Sequence, residues 1–505
     1  MPRLVINGIP VDVPPGATLL EAAASLDLRI PTLCHAPGIH PQTSCMVCVV
    51  EDTRTGRLVP SCAAAAEAGM AIETDSERVR LARRGALEML LSEHVGDCEA
   101  PCERACPAGL NIPLMLRLLA RRDAGAAGVL AREALVLPAV LGRVCTAPCE
   151  VVCRRGVLDE ALAIRELHGR LGETLASSEE IGSHLAAALG KKVAVIGSGP
   201  AGLAAAFRLR GYGHACTVYE KQARAGGMLL DFPEEQLPRE ILEQDIAQIL
   251  QSGVDIVFNT EVGSALTLER LFDEVDAVVV ACSLAAPERP GLFRAEDKKT
   301  PVRSVASGKA AAEAVHALLM QGAGSTCSPY QSMIGRLTPE QTQVFAEGRI
   351  PEAALARRRN VSEPEREAER CLHCDCHAPV SCKLRQYATE YDVRPAVFRR
   401  AGRPDVSGVQ RHGNIIFDVG KCIKCGLCVE ITQARGEPFG MTLTGRGFAM
   451  EVCVPLGEPL EQAFSTCAAE CIAACPTGAL AFEPEEERNS EQLRRRREDR
   501  ENRGV

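Results

Sequence analysis

The sequence predicts a multidomain protein in which α+β and α/β segments follow one another along the chain. Three observations carry that expectation. The chain has 505 residues, 46% of them hydrophobic, enough for several domains that each bury a core. Its 24 cysteines fall mostly in tight groups. Near the middle, the β-type run Val193 to Ile196 leads into Gly197-x-Gly199-x-x-Gly202 and an Ala/Leu-rich helix, the strand, turn and helix order of a nucleotide-binding βαβ unit.

Composition excludes several classes. The formal charge of −9 arises from 57 basic and 66 acidic residues, without the basic surplus that displaces phosphate counterions, so nucleic acid is not an expected partner. No apolar stretch approaches the roughly eighteen residues of a membrane span. The opening MPRLVINGIPVDV has no signal-peptide pattern, and a cytoplasmic protein without direct membrane insertion is expected. A disulfide scaffold would be short and secreted, so clustered cysteines in this long chain read as metal sites.

Taken in order, Leu4 to Ile6 and Val11 to Val13 flank Asn7-Gly8, a strong hairpin signal. Thr18 can cap a helix over LLEAAASL. Then Cys34, Cys45, Cys48 and Cys62 stand as C-x10-C-x2-C-x13-C. This arrangement, through GMAIETDSERVRLARRGALEMLLSEH, resembles the [2Fe–2S] ferredoxin β-grasp domain that opens the large iron–sulfur subunit of respiratory complex I and of related NAD-linked hydrogenases and formate dehydrogenases. The resemblance covers about the first hundred residues and implies one [2Fe–2S] cluster on those four cysteines; a tetrathiolate zinc site is the alternative.

In that family a His-x3-Cys at the end of the next helix ligates a further cluster, and His94 and Cys98 have that spacing. The residues CEAPCERACP and GRVCTAPCEVVC resemble the N-terminal domain of the glutamate synthase small subunit and of dihydropyrimidine dehydrogenase. There, two cysteine groups interleave on two [4Fe–4S] clusters. Carried over, one cluster uses Cys98, Cys102 and Cys153, with His94 as fourth ligand because the first cysteine of that family's motif is missing. The other uses Cys106, Cys145 and Cys149, and its fourth ligand falls on His168, where the relatives have Gln or Glu.

The segment KKVAVIGSGPAGLAAAFRLRGYGHACTVYEKQARAGGML resembles the FAD-binding half of the glutamate synthase small subunit. Its glycine turn admits a pyrophosphate at a helix N-terminus, and Glu220 ends the next strand where a carboxylate meets ribose hydroxyls. The resemblance implies FAD on Gly197, Gly199, Pro200, Ala201, Gly202, Glu220, Lys221, Gly226, Gly227 and Met228, closed by Asp297. Ser283 and Glu296 replace glycines near the cofactor. In the relatives an NADPH domain follows the strand matching VDAVVVACS; here only Leu284 to Pro290 intervene before GLFRAEDKKT, and a domain needs at least about fifty residues.

Cys371, Cys374, Cys376 and Cys382 give C-x2-C-x-C-x5-C, which suits either a [4Fe–4S] cluster or zinc. Cys422, Cys425 and Cys428, with Cys475 before Pro476, match the two halves of a bacterial ferredoxin holding one [4Fe–4S] cluster. Thr432 replaces the cysteine that a second cluster would need, and Cys453, Cys467 and Cys471 stay unassigned.

The expected domains are a [2Fe–2S] ferredoxin domain (1–78), a helical domain with two [4Fe–4S] clusters (79–180), a Rossmann-like FAD domain (190–325), a Cys-rich connector (326–404), a ferredoxin-like domain (405–485) and a charged tail (486–505). No catalytic residue is singled out. With one [2Fe–2S], three to four [4Fe–4S] and FAD, the resemblance implies an electron-relaying subunit between an NADH-binding FMN flavoprotein and a hydrogenase or formate dehydrogenase catalytic subunit, with electron bifurcation conceivable. The alternatives are an NAD(P)H-dependent oxidoreductase like the glutamate synthase small subunit, or a zinc-binding adaptor.

Overall fold

The structure, a computed structural model, describes residues 1–175, 186–263, 266–296, 298–320, 329–394, 398 and 405–482. Residues Met1–Glu99, Cys327–Arg349 and Cys374–Glu486 form one compact unit; Ala100–Thr326 and Ile350–His373 belong to a second. The two ends expected as separate domains, 1–78 and 405–485, thus lie in one unit. The connector 326–404 is not a body of its own, because its residues are divided between the units. The helical region 79–180 is cut at Glu99. The tail 486–505 lies outside the described residues.

The first unit opens with β1 (Arg3–Ile6), β2 (Ile9–Asp12), β3 (Val49–Asp52), β4 (Arg57–Pro60) and β5 (Ala71–Glu73) in the order β2-β1-β5-β3-β4. β1 and β5 run parallel, and the other neighbours are antiparallel. Asn7 and Gly8 both have positive φ, 50° and 79°, as a two-residue type I′ turn requires. Thr18 accepts from the Glu21 amide at 3.2 Å and Glu21 accepts from the Thr18 amide at 2.8 Å, a capping box that starts helix Leu19–Ala24. Leu19, Ala22 and Ala23 of that helix pack with Leu4, Ile6 and Ile72. Helix Glu77–Ser92 buries Val79, Arg83, Leu87 and Leu91, one face at helical spacing. The buried Arg83 donates to the Tyr391 hydroxyl and the Val49 carbonyl, each at 2.9 Å.

The second unit combines helices with one parallel sheet: β6 (Lys192–Ile196), β7 (Ala215–Tyr219), β8 (Val254–Val257), β9 (Ala277–Val280) and β10 (Leu292–Arg294), ordered β10-β9-β6-β7-β8. β9 is buried along its whole length, as expected of a strand covered on both faces. Helices Pro200–Gly211 and Pro301–Leu319 approach so closely that a Cβ on Gly308 would lie 2.0 Å from the Ala201 carbonyl oxygen. Within the helical part, Arg132 pairs with Asp245 at 2.8 Å, and Asp245 also accepts from the Val140 amide at 2.9 Å. Segment 350–373 is seated by charge. Arg370, fully buried, pairs with Glu367 at 2.8 Å and donates to the Glu160 carbonyl at 2.7 Å. No single helix among the described residues is long and apolar enough to cross a membrane; the pair Ala124–Leu135 and Pro138–Val144 reaches that composition only jointly, across a 74° bend.

Back in the first unit, β11 (Val409–His412), β12 (Ile415–Asp418), β13 (Thr442–Thr444), β14 (Glu451–Cys453) and β15 (Leu480–Phe482) make an antiparallel sheet β11-β12-β15 and a separate hairpin β13-β14. Helices Leu427–Ala434 and Ala468–Ala474 complete this part of the unit. At the end of β12, Asp418 pairs with Arg349 at 2.8 Å and lies 3.5 Å from Lys421, all three buried.

Candidate metal centres and nucleotide loop

The loop between helix Leu19–Ala24 and β3 carries Cys34, Cys45 and Cys48, and Cys62 follows β4; all four are at least 96% buried. Cys34 is hydrogen-bonded to Cys45 and Cys48 to Cys62, which stabilises the thiolates of Cys34 and Cys48 and disfavours those of their partners. Four thiols gathered without a disulfide fit the donor set of a two-iron cluster.

Helix Glu77–Ser92 delivers the next group. Beyond it, the Val95 amide donates to the Gly420 carbonyl at 2.7 Å, the Cys98 amide to the Ser332 carbonyl at 3.1 Å and the Cys376 amide to the Cys98 carbonyl at 3.3 Å. These bonds hold His94 and Cys98 with Cys376 and Cys382 around one cavity, floored by Leu91 and Leu384. The Ser332 amide donates to Cys98 Sγ at 3.3 Å and the Arg385 amide to Cys382 Sγ at 3.4 Å, hydrogen bonds of the kind that stabilise cluster-bound thiolates.

This grouping departs from the expected sets. His94 and Cys98 line this cavity, and Cys102 and Cys153 are not among its lining residues. The four cysteines read together at 371–382 are likewise divided: Cys376 and Cys382 line the cavity with His94, while Cys371 is buried in the second unit's core, against which Cys102 and Cys153 pack. Cys374, half-buried, begins the first unit's last segment. The physical reason is the long excursion of the chain between Cys98 and Cys376, whose backbones then hydrogen-bond.

In the second unit, Cys106, Cys145, Cys149 and His168 line one cavity with apolar walls that include Leu141, Ile164 and Val302. His168, on helix Ile164–Leu175, is completely enclosed, and burial drives its imidazole down to about 4. It is therefore neutral, and its Nδ1 lies 3.3 Å from the Pro138 carbonyl. A neutral ring with Nδ1–H on a carbonyl keeps Nε2 as the acceptor. Burial also raises the Cys145 and Cys149 thiols, so iron binding here must release protons.

Cys422, Cys425, Cys428 and Cys475 line a third cavity, beneath Phe417, Val452 and Leu480. Gly426, in the left-handed region at φ 79°, turns the chain between Cys425 and Cys428. Burial lifts Cys422 to about 11 and Cys425 to about 12. Cys471 borders the same cavity, a position not assigned from sequence. Thr432 turns its hydroxyl to the Cys428 carbonyl at 2.9 Å.

The three groups of the first unit share one apolar cluster. Cys34, Cys45, Cys98, Cys382 and Cys425 are all members, with Leu33, Leu87 and Leu427 among the residues packed between them. A Cβ on Gly478, three residues past Cys475, would fall 2.4 Å from Cys376 Sγ, so the absence of a side chain lets the two groups approach. Lys421, fully buried, sends its Nζ to the Asp375 carbonyl at 2.8 Å and lies between Asp375-Cys376 and Cys422 in the chain.

The nucleotide loop follows β6. Gly197 takes φ 100°; a Cβ on Gly202 would sit 1.9 Å from the Gly197 carbonyl oxygen, and one on Gly227 would sit 2.7 Å from Gly199 Cα. Helix Pro200–Gly211 has Gly199 at its N-cap, without a side-chain cap. A loop this tight brings backbone N–H groups to a pyrophosphate, which is the fit a dinucleotide needs. Glu220, at the end of β7, accepts from the Ser198 amide at 2.9 Å and the Gln222 amide at 2.8 Å, which fixes its carboxylate beside the glycine loop. Pro200 and Ala201 form the helix start, and the Gly226 amide donates to the Ser198 carbonyl at 3.1 Å. Met228 Sδ lies 4.0 Å from Ser304 Oγ, while Lys221 is exposed. Ser283 and Glu296 are exposed, and the Glu296 amide is held by Ser307 Oγ at 2.9 Å. Asp297 lies outside the described residues. β9 passes to its parallel neighbour β10 within eleven residues, and among the described residues this unit has one parallel sheet. Gly202→Ala is expected to abolish nucleotide binding with the iron content unchanged, as measured by bound flavin per chain after gel filtration.

Three families match consecutive parts of the chain: a 2Fe-2S iron-sulfur cluster binding domain over residues 3–77, dihydropyrimidine dehydrogenase domain II, 4Fe-4S cluster, over 92–179, and an NAD(P)-binding Rossmann-like domain over 195–258. The β subunit of the NADP(+)-dependent formate dehydrogenase of Moorella thermoacetica is 39% identical over 216 residues, 38% of this chain and 31% of that protein. The glutamate synthase [NADPH] small chain of Bacillus subtilis is 38% identical over 164 residues, 32% of this chain and 33% of that protein. The NAD-dependent dihydropyrimidine dehydrogenase subunit PreT of Escherichia coli is 38% identical over 212 residues, 40% of this chain and 50% of that protein. The chain therefore spans a third to a half of these relatives' length. It matches an iron–sulfur flavoprotein of the kind its motifs resemble, with a 2Fe-2S domain, a 4Fe-4S helical domain and a Rossmann-like domain.

Proposed function

We propose that this chain is an electron-transfer subunit of an oxidoreductase complex, carrying iron–sulfur clusters and a bound flavin dinucleotide and leaving the substrate site to partner subunits. The observation that carries this reading is the shared apolar core of the first unit, which includes cysteines from all three of its candidate metal groups. Cofactors held close together in a dry matrix exchange single electrons, and burial, ligand type and hydrogen bonds set their potentials.

The ligand sets follow the geometry. Cys34, Cys45, Cys48 and Cys62 suit the [2Fe–2S] cluster. His94, Cys98, Cys376 and Cys382 suit one [4Fe–4S] cluster, and Cys422, Cys425, Cys428 and Cys475 a second. Cys106, Cys145, Cys149 and His168 suit a third, in the other unit, where Cys102, Cys153 and Cys371 are further thiolates available to a cluster. A neutral imidazole in place of an anionic thiolate should raise the potential of the cluster it joins. Exchanging His168 tests this directly: His168→Ala should remove one cluster's EPR signal, whereas His168→Gln, which restores an uncharged donor, should keep a signal with altered g values. Unchanged spectra in both variants would refute the assignment.

The proposed partners are a formate dehydrogenase or hydrogenase catalytic subunit and an NADH-binding FMN flavoprotein as electron source or sink; the relative named as a formate dehydrogenase subunit supports the first of these. Anaerobic affinity purification from the native host, with mass spectrometry of what co-purifies, tests it. Such subunits in the eluate support the relay; recovery alone, with NADPH oxidation by the chain itself, supports a self-sufficient reductase. Among the described residues the second unit has a single parallel sheet, which supports the relay over the reductase.

A further inference from the structure

The ferredoxin-like part holds two thiols that the ligand sets leave unused. Cys467 and Cys471 are 95% and 99% buried, and their sulfurs lie 3.9 Å apart. They occupy the side of the fold where Thr432 stands in place of a cluster cysteine. Both thiols belong to the apolar core that includes Met441, Val452, Val454, Leu460 and Phe464. Cys471 also borders the cavity lined by Cys422, Cys425, Cys428 and Cys475, with its sulfur 4.0 Å from the Cys428 carbonyl.

We infer that Cys467 and Cys471 are a dithiol/disulfide couple that exchanges electrons with the iron–sulfur site beside it. The inference rests on the assignment of Cys422, Cys425, Cys428 and Cys475 as that site's ligands. Closing the bond requires the sulfurs to move from 3.9 Å to about 2.0 Å. Cys467 can supply this motion, because it is the N-cap of helix Ala468–Ala474 with φ −109° and ψ 14°, outside the regular turn that restricts helical side chains. Burial shields both thiols from dissolved oxidants, which leaves the adjoining cluster as the redox partner. In the oxidative direction two S–H bonds break and one S–S bond forms. Two electrons pass singly to the cluster and on to a further one-electron iron–sulfur acceptor, and two protons leave.

One proton has a visible exit. The Glu437 carboxylate accepts from the amides of Ser465, Thr466 and Cys467 at 2.9, 2.7 and 2.9 Å and faces the Cys467 thiol. Glu437 is only partly buried and, against that burial, its hydrogen-bond donors hold it ionised well below the usual carboxylate range, so it orients the Cys467 proton toward water without taking it up. The pair would store two electrons at the end of a one-electron path.

The test uses the full chain, purified anaerobically and poised with redox dyes over a series of potentials. Each sample is split between EPR and acid quenching, denaturation, alkylation and peptide mass spectrometry. The expected result is that alkylation at Cys467 and Cys471 is lost together on oxidation and fully regained on reduction, the unlabelled peptide being lighter by about two hydrogens. Cys471→Ser should keep the cluster's EPR signal and leave Cys467 alkylated at every poise. Alkylation of both thiols at every potential that preserves the cluster signal would overturn the proposal. So would loss of that signal in Cys471→Ser, which would make Cys471 a ligand. A missing cluster signal in the unaltered chain would instead overturn the ligand assignment, and the couple with it.

Discussion

Replacing Cys376 or Cys382 by Ser is expected to remove the same EPR signal that His94→Ala removes, and to lower the iron content by about four atoms per chain. Cys102→Ser and Cys153→Ser should leave that signal in place. His94, Cys98, Cys376 and Cys382 surround one cavity, and the backbone bond from Cys376 to Cys98 at 3.3 Å registers the two distant pieces of chain. If the grouping by chain neighbourhood were right, His94→Ala would instead share its lost signal with Cys102→Ser and Cys153→Ser. A set of five variants, each examined by low-temperature EPR and iron analysis after anaerobic purification, separates the two patterns.

Asp418→Asn is expected to destabilise the first unit by about 3 to 5 kcal/mol, because it leaves the Arg349 and Lys421 charges buried without their anion. The carboxylate pairs with Arg349 at 2.8 Å and with Lys421 at 3.5 Å. Burial alone would raise its pKa, but the Arg349 and Lys421 charges outweigh that and hold it at about 2. A carboxyl group whose folded pKa is depressed stabilises the fold above its unfolded value and loses that contribution as pH falls through the folded one. The Asp418 contribution of about 2 kcal/mol should thus be intact at neutral pH and decline between about pH 4 and pH 2. Urea unfolding of the first transition by far-UV circular dichroism checks both statements. A midpoint unchanged by Asp418→Asn would show that the ion triad does not hold β12 in place.

The legible parts of the sequence were those encoded locally. The Asn7-Gly8 hairpin, the Thr18 cap and the Gly197-x-Gly199-x-x-Gly202 turn each specify their geometry within a few residues, and each stands as its pattern implies. Cys106, Cys145, Cys149 and His168, read from a family pattern, line one cavity, as do Cys422, Cys425, Cys428 and Cys475. What local spacing concealed was a partition made by the tertiary fold. Cys371 to Cys382 span twelve residues, yet the unit boundary falls between His373 and Cys374. Cys98 lies four residues from Cys102 and shares its cavity with residues nearly three hundred positions away. Motif spacing carries no information about which thiols a long excursion returns to. Spacing leaves Cys467 and Cys471 unassigned for a related reason: the apolar core they join includes Val452 of the separate β13-β14 hairpin.

On the proposed function, these cysteines hold iron–sulfur clusters for electron transfer. Metal analysis of the anaerobically purified chain, combined with EPR of the dithionite-reduced sample, tests it most directly. The expected result is one [2Fe–2S] signal and at least three [4Fe–4S] signals, about fourteen or more irons per chain, and only trace zinc. Stoichiometric zinc with no visible absorption and no EPR signal would contradict it, and would identify the thiol groups as structural sites in an adaptor.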